Sequence, residues 1–294
     1  MKPAPHRLLI VITAVLFSTG GVAIKAANLN GWQIACFRSA VATVALLILL
    51  PDARRGWSWR MTPVSLAYAA TLVTFVLSNR LTTAANAVFL QATAPLYVLL
   101  LSPWLLGERI RKSDGAYIVA VAGGLAMFFI GRESAAATAP DLGSGNLLAL
   151  SSGVTYACML TGLRWVGRDQ KRDSALPAVV LGNLLAALAA LPMAVRGPAV
   201  GGWANAGVIL YLGVVQVGLA YACLARAIRH VRAFETTAIL LLEPALNPVW
   251  VWLAHGERPG IWALCGGALI LLATLQNAWM RGNVAGVEDL RKVP

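Results

Sequence analysis

Acidic side chains are scarce in this chain. Its 294 residues hold 12 Asp and Glu against 24 Lys and Arg, and charged residues together make up 12%, about half the share a water-soluble globule carries. Histidines number three and cysteines four. His6, His230 and His255 lie in a tail or at the ends of apolar runs, and Cys36, Cys158, Cys223 and Cys265 show no C-x-x-C spacing. Neither a zinc site nor a disulfide framework is signalled, and the cysteines read as small apolar packing residues. G-x-S-x-G, H-E-x-x-H and G-x-x-x-x-G-K-[ST] are all missing. A membrane enzyme would thus lack its nucleophile or metal, and an ATP-driven pump its nucleotide loop. No cofactor and no metal are expected.

What the chain has instead is apolar length. Hydrophobic residues make up 59%, with a mean hydropathy of +0.71. A helix crosses a hydrocarbon layer about 30 Å thick with roughly 20 mostly apolar residues. Ten such stretches lie near 8–26, 32–50, 62–79, 83–106, 114–131, 144–163, 175–195, 204–225, 233–255 and 260–280. Lys2 and Arg7 precede the first run as in a signal peptide, but its length and Lys25 argue against a cleavage site, so it reads as an uncleaved span. The expected fold is an all-α membrane protein of ten transmembrane helices.

The net charge of +12 is spread over alternate loops rather than gathered in a patch, which argues against a nucleic-acid partner. One set of loops and tails takes 18 of the 24 Lys and Arg, while the other receives Lys25, Arg80, Arg132, Arg196 and Arg258; Arg38 falls inside a span. The positive-inside rule then places both termini in the cytoplasm. Eight of the ten tryptophans (Trp32, Trp104, Trp165, Trp203, Trp250, Trp252, Trp262 and Trp279) fall near span ends, the usual place of interfacial anchors. Trp250 with Trp252 is the one pair that would suit an aromatic substrate cage.

One pattern occurs twice. Pro95 is followed twelve residues on by Gly107-Glu108-Arg109, and Pro244 at the same spacing by Gly256-Glu257-Arg258, 149 residues further along. Gly123-Gly124 in span five is echoed by Gly266-Gly267 in span ten, and Ser18-Thr19-Gly20-Gly21 by Ser151-Ser152-Gly153. Five spans per copy is an odd number, so the second copy enters the membrane upside down, as in secondary transporters built from inverted repeats. The expected organisation is a first repeat over 1–131, an external linker over 132–143, a second repeat over 144–281 and a cytoplasmic tail over 282–294.

Polar residues inside spans are costly and mark either a protein contact or a wet cavity. Spans five and ten have almost none, so they are expected at the periphery, packing through their glycines on neighbours or on a second subunit in a homodimer. The other spans supply the residues expected to line a central pathway: Phe17, Ser18, Arg38, Thr74, Ser78, Asn86, Gln91, Tyr156, Gln216, Tyr221, Thr237, Glu243 and Asn247, with Thr19, Ser39, Thr43, Ser152, Thr155 and Asn183 beside them. Lone Ser and Thr hydroxyls can instead bond back to their own helix. Glu243 is the one acid far from any span end, where a charge costs about 2.5–3.5 kcal/mol. It is therefore either a proton carrier or a neutral carboxyl bonded to a neighbouring helix. Arg38 could snorkel outward, pair with Glu243, or hold a substrate carboxylate by its fork. Pro95 and Pro244 deprive the carbonyls of Gln91 and Leu240 of their helical donors, so each fourth helix should bend there and is a candidate hinge. Glu108 and Glu257 read as loop caps that pair with Arg109, Arg258 or nearby backbone.

These residues resemble the EamA-type branch of the drug/metabolite transporter superfamily: ten spans in two halves, each fourth helix running from Pro through an apolar stretch to Gly-Glu-Arg, together with Arg38 and Leu242-Glu243-Pro244. The resemblance covers Leu8 to Trp279. It implies an exporter of small metabolites, commonly amino acids, working by alternating access in the bacterial inner (plasma) membrane. A drug-efflux protein, a channel, or a lipid or lipid-linked sugar flippase would use similar spans.

Overall fold

The computed structural model describes residues 4–105, 114–130, 138–167, 175–198, 202–227, 231, 236 and 239–291, all helix and connecting turns with no strand among them. The helices are α1 (Ala4–Ser18), α2 (Gly20–Ala26), α3 (Gly31–Leu49), α4 (Thr62–Leu81), α5 (Ala84–Gln91), α6 (Ala94–Leu105) and α7 (Asp114–Ile130). They continue as α8 (Leu142–Gly167), α9 (Ala175–Ala194), α10 (Trp203–Leu210), a π-helical stretch (Tyr211–Leu219), α11 (Ala220–Ala227), α12 (Leu242–His255) and α13 (Ile261–Arg291). Seven helical segments among the described residues are long and apolar enough to cross a bilayer: His6–Ala26, Gly31–Leu49, Trp59–Leu81, Ala84–Leu101, Leu176–Ala194, Trp203–Leu224 and Ile261–Met280. Each coincides with an expected span. Of the other three, α7 is a shorter apolar helix, α8 is long but carries many polar residues, and the start of the ninth falls partly outside the described residues.

Local chemistry sets several ends. Asn30 begins α3 with a capping box, its Oδ1 accepting from Gln33 N at 2.9 Å while Gln33 Oε1 accepts from Asn30 N at 3.1 Å. Thr83 caps α5 by accepting from Asn86 N at 3.1 Å. Gly256 ends α12 with a φ of +66°, a left-handed backbone that L side chains rarely adopt. The glycine of the repeated Gly-Glu-Arg thus turns the chain and aims Glu257 back at the bundle.

Packing follows a regular scheme. The first expected span lies against α11 and α12, and α8 against α4, α5 and α6. α3 lies on α9 and on the π stretch, α4 also packs on α9, and α7 pairs with α13. The α7–α13 contact is an interlock of glycines. A Cβ added to Gly124 would come 2.9 Å from Gly266 O, and one on Gly266 would come 2.6 Å from Gly124 O. The small residues of spans five and ten therefore serve a contact inside the chain. Trp59, Trp104 and Trp203 are among the most exposed large side chains, as interfacial anchors are. Trp250 turns inward and Trp252 outward, so the two form no cage. Cys36 and Cys223 are buried as expected, but Cys265 is exposed on the outer face of α13.

Loops that alternate along the sequence meet at one end. Lys25 reaches the carbonyls of Thr82 (3.1 Å) and Thr138. Asp141 N donates to Leu81 O at 2.9 Å, Asn28 N to Asn205 Oδ1 at 2.9 Å, and Gln33 Nε2 to Pro198 O at 2.9 Å. The loop over 51–61 lies at the other end, where Met61 and Val64 pack on Ala178 at the start of α9.

Candidate functional site: a buried polar pathway

Arg38 projects from α3 into the middle of the bundle and is 1% exposed, so it does not snorkel. Its Nε and Nη2 have no acceptor. The groups near enough to act on it electrostatically are the phenols of Tyr68 on α4 and Tyr221 on α11. Tyr68 OH accepts from Asn183 Nδ2 at 3.1 Å. The Tyr68 and Tyr221 rings lie 5.7 Å apart, and Phe17 of α1 meets Tyr221 edge-on at 5.2 Å. Glu243 is within electrostatic reach of both Tyr221 and Tyr156. Arg38 and Glu243 therefore both act on one tyrosine without forming the ion pair that was one expectation from sequence. A buried guanidinium lacking an acceptor is a costly arrangement, and a carboxylate or ordered water entering beside it would offset that cost. Asn183 and Tyr68 belong to this cluster; the sequence marked Asn183 as a lining residue but left Tyr68 out. The signal of Tyr68, a Tyr inside an apolar run, was present but no stronger than that of several others.

A second polar cluster adjoins the first along the same helices. The first span breaks at Thr19, between α1 and α2. There Ser18 Oγ donates to Val15 O at 2.7 Å and accepts from Trp250 Nε1 at 2.9 Å, while Thr19 Oγ1 and Tyr211 OH share a bond of 2.7 Å. Gly20 and Gly21 follow, and their missing side chains admit two amides. A Cβ on Gly20 would come 2.8 Å from Gln216 Nε2, and one on Gly21 would come 2.6 Å from Asn247 Oδ1. Asn247 is fully buried with neither amide atom partnered, and Gln216 Oε1 is unpartnered as well. Gln216 sits in the π stretch, a helical irregularity that recurs at functional sites.

The remaining candidates behave differently. Gln91 Nε2 donates to Ser152 Oγ at 2.7 Å, and Ser152 Oγ to Thr71 O at 3.4 Å. Asn86 Nδ2 donates to Asn146 Oδ1 at 3.1 Å, which also accepts from Thr82 Oγ1 at 2.7 Å. Thr74 and Ser78 return their hydroxyls to their own helix, at Ala70 O (2.7 Å) and Phe75 O (2.8 Å). Thr237 and the Gly107-Glu108-Arg109 motif lie outside the described residues. At the two prolines the helices stop and restart rather than simply bend. α5 and α6 are separated by a turn at Ala92-Thr93, where Thr93 Oγ1 donates to Leu90 O at 2.6 Å. α12 starts after a turn at Leu241. Pro95 and Pro244 each fall in the first turn of the restarted helix, where a missing N–H costs least.

At the end where the alternate loops meet, Lys25 Nζ and Glu257 Oε2 form an ion pair of 2.8 Å, with side chains 3% and 6% exposed. Glu257 Oε1 also accepts from Ala84 N at 2.6 Å, the first N–H of α5. His255 Nε2 lies 3.0 Å from Val22 O. The sequence suggested Arg258 as a partner for Glu257; the glycine turn at 256 points the carboxylate inward to Lys25 instead.

A family model described as the EamA-like transporter family matches the chain twice, over residues 6–130 and 143–278. The chain belongs to the EamA-like transporter family. This EamA-like protein is a multi-pass membrane transporter and not an enzyme. It is 27% identical over 279 residues to a pseudopaline exporter of Pseudomonas aeruginosa, covering 91% of this chain and 94% of that protein. With a probable terminal-alkyne amino-acid exporter of Streptantibioticus cattleyicolor the identity is 30% over 285 residues, covering 88% and 89%. A crystal structure of 18% sequence identity matches its fold with a TM-score of 0.64 over 95% of this chain and 98% of that one.

Proposed function

We propose that this EamA-like transporter exports small polar metabolites, amino acids above all, across the bacterial inner membrane by alternating access. The passage runs between two inverted five-helix halves, 1–131 and 144–281, joined by the external linker 132–143. The two separate family matches support that division. So does the packing scheme, since exchanging spans one to five with six to ten turns the α4–α8 contact into that of α11 with α1, and α4–α9 into that of α3 with the π stretch. The meeting of alternate loops at one end supports ten crossings, and the charge bias puts that end outside.

The observation that carries the substrate class is the buried Arg38, whose Nε and Nη2 have no acceptor, with Glu243 acting on the same tyrosine, Tyr221. Arg38 suits a carboxylate and Glu243 an ammonium group, the two poles of an amino acid. Turns beside Pro95 and Pro244 supply the hinges. The test is uptake of a labelled amino-acid panel into proteoliposomes, with and without a pH gradient. At least one amino acid should move, and Arg38→Gln should cut that rate by about 100-fold while Arg38→Lys retains part of it. Movement of labelled lipid but no amino acid would replace this reading with a flippase. Glu243→Gln leaving both rate and pH response unchanged would remove the proton-carrier role.

A further inference from the structure

We propose that Lys25 and Glu257 are the gate of the passage at its outer end, a clasp that must open for substrate to leave. The inference rests on the transporter reading above, and it arises from bonds that reading does not use. The pair joins α2, from the first matched region, to the turn after α12, from the second. Around it four more bonds converge, to Ala84 N at the start of α5, to the carbonyls of Thr82 and Thr138, and between His255 and the Val22 carbonyl of α2 itself. Four segments of the chain, 22–25, 82–84, 138 and 255–257, are thus held by two charged side chains and one imidazole.

Position makes this a gate rather than a brace. Lys25 is one helical turn beyond Gly21, whose missing side chain admits Asn247, and Glu257 follows the end of the helix that carries Asn247. The clasp therefore caps the cluster of unpartnered amides, and anything passing outward between α2 and α12 meets it first. Energetics point the same way. A buried ion pair adds little net stability, because desolvation offsets most of the attraction, yet losing one partner strands a charge. Contacts of this kind separate without exposing apolar surface, whereas the α7–α13 glycine interlock cannot part without opening a void. The sequence also confines the device to one end. The Ser-Gly segment of span six is followed by no lysine or arginine before Arg164, so Lys25 has no counterpart one to two turns on.

The test reads access to Asn247. In a chain whose four cysteines are replaced by alanine, Asn247→Cys is exposed to a charged, membrane-impermeant maleimide added outside right-side-out vesicles, and modification is followed by gel shift. Labelling should be slow with the clasp intact and at least about tenfold faster in Lys25→Met and in Glu257→Gln. Lys25→Arg and the exchanged pair Lys25→Glu with Glu257→Lys should stay slow, which separates loss of the pair from loss of the fold. Equal rates in the parent and both single variants would overturn the gate, as would acceleration only from the cytoplasmic side. Because labelling needs no substrate, a failed amino-acid panel with accelerated labelling sinks the substrate class alone. A working panel with unchanged labelling sinks the gate alone.

Discussion

Two polar junctions of this molecule differ although the repeat makes them counterparts. Where α8 meets α4 and α5, Gln91, Ser152, Asn86 and Thr82 donate to Ser152, Thr71 and Asn146, leaving Asn86 Oδ1 as the one buried unpartnered atom of that group, and α4 and α8 are regular helices. Where α1 and α2 meet the π stretch and α12, the helix breaks at Thr19, the neighbouring helix widens over 211–219, and the amides of Asn247 and Gln216 are left open. The first junction is a brace and the second a socket. The lesson is that duplicated sequence supplies a symmetric frame whose two copies need not complete the same hydrogen bonds.

The largest break in this comparison should come from blunting each side in turn. Asn247→Leu removes an amide that bonds nothing in the protein, so thermal stability in detergent should hold or rise while transport falls by about 10–100-fold, the equivalent of one or two lost hydrogen bonds to substrate. Gln91→Leu should do the reverse, lowering the melting temperature by a few degrees with transport largely kept. If both variants lose stability and keep transport, the socket is only packing.

A smaller effect is expected from a single methyl group. Gly21→Ala pushes on the Asn247 amide, a side chain free to move, and should raise the KM of transport by about tenfold with little change in stability. Gly153→Ala instead meets the backbone carbonyl of Leu90 at 3.1 Å, which shifts only if the helix shifts. Its cost should appear as about 1–3 kcal/mol of stability in a denaturant titration.

Between the prolines the comparison is one of degree. Pro244→Ala restores a donor beside Glu243 at the socket and should slow transport by about tenfold, more than Pro95→Ala at the brace. Equal slowing would mean that both turns move together.

The smallest effect lies outside the membrane. Asp141 accepts from Ser144 N at 3.0 Å, and the Ser144 hydroxyl and N–H hold its carboxyl below the usual carboxylate range. A depressed value means the ionised form is favoured in the folded state, so its small contribution is present at neutral pH and fades as the pH falls through its lowered folded-state value. Asp141→Asn should lower the melting temperature slightly at pH 7 and not at all below that range. An equal loss at both would show that the cap is not electrostatic.

Much of the frame was readable in advance. Apolar runs and the tryptophan positions anticipated the helices, and the paired Gly-Gly motifs a close glycine contact, though not that spans five and ten would make it with each other, because one-dimensional spacing records which face of a helix is small or apolar but not what it meets. The repeated Pro marked where the fourth and ninth segments interrupt. Partnerships were not readable. That Arg38 misses Glu243, that Glu257 finds Lys25 rather than Arg258, and that Thr74 and Ser78 serve only their own helix depend on rotation and depth in three dimensions. Nor does composition announce a π stretch: Tyr211 to Leu219 reads as an ordinary apolar helix.

That stretch has a geometric consequence. Nine residues closed five apart rather than four give each side chain a smaller angular step, so everything after Leu219 faces a direction an α-helix would not choose. Tyr221, two residues later, touches Phe17 and Tyr68 from that offset. Tightening the coil to ordinary winding would carry its ring around the axis and away from both. The contact of Tyr221 with Phe17 and Tyr68 is thus set by how the helix is wound, and deleting a single apolar residue of the stretch, such as Val214, would redirect it.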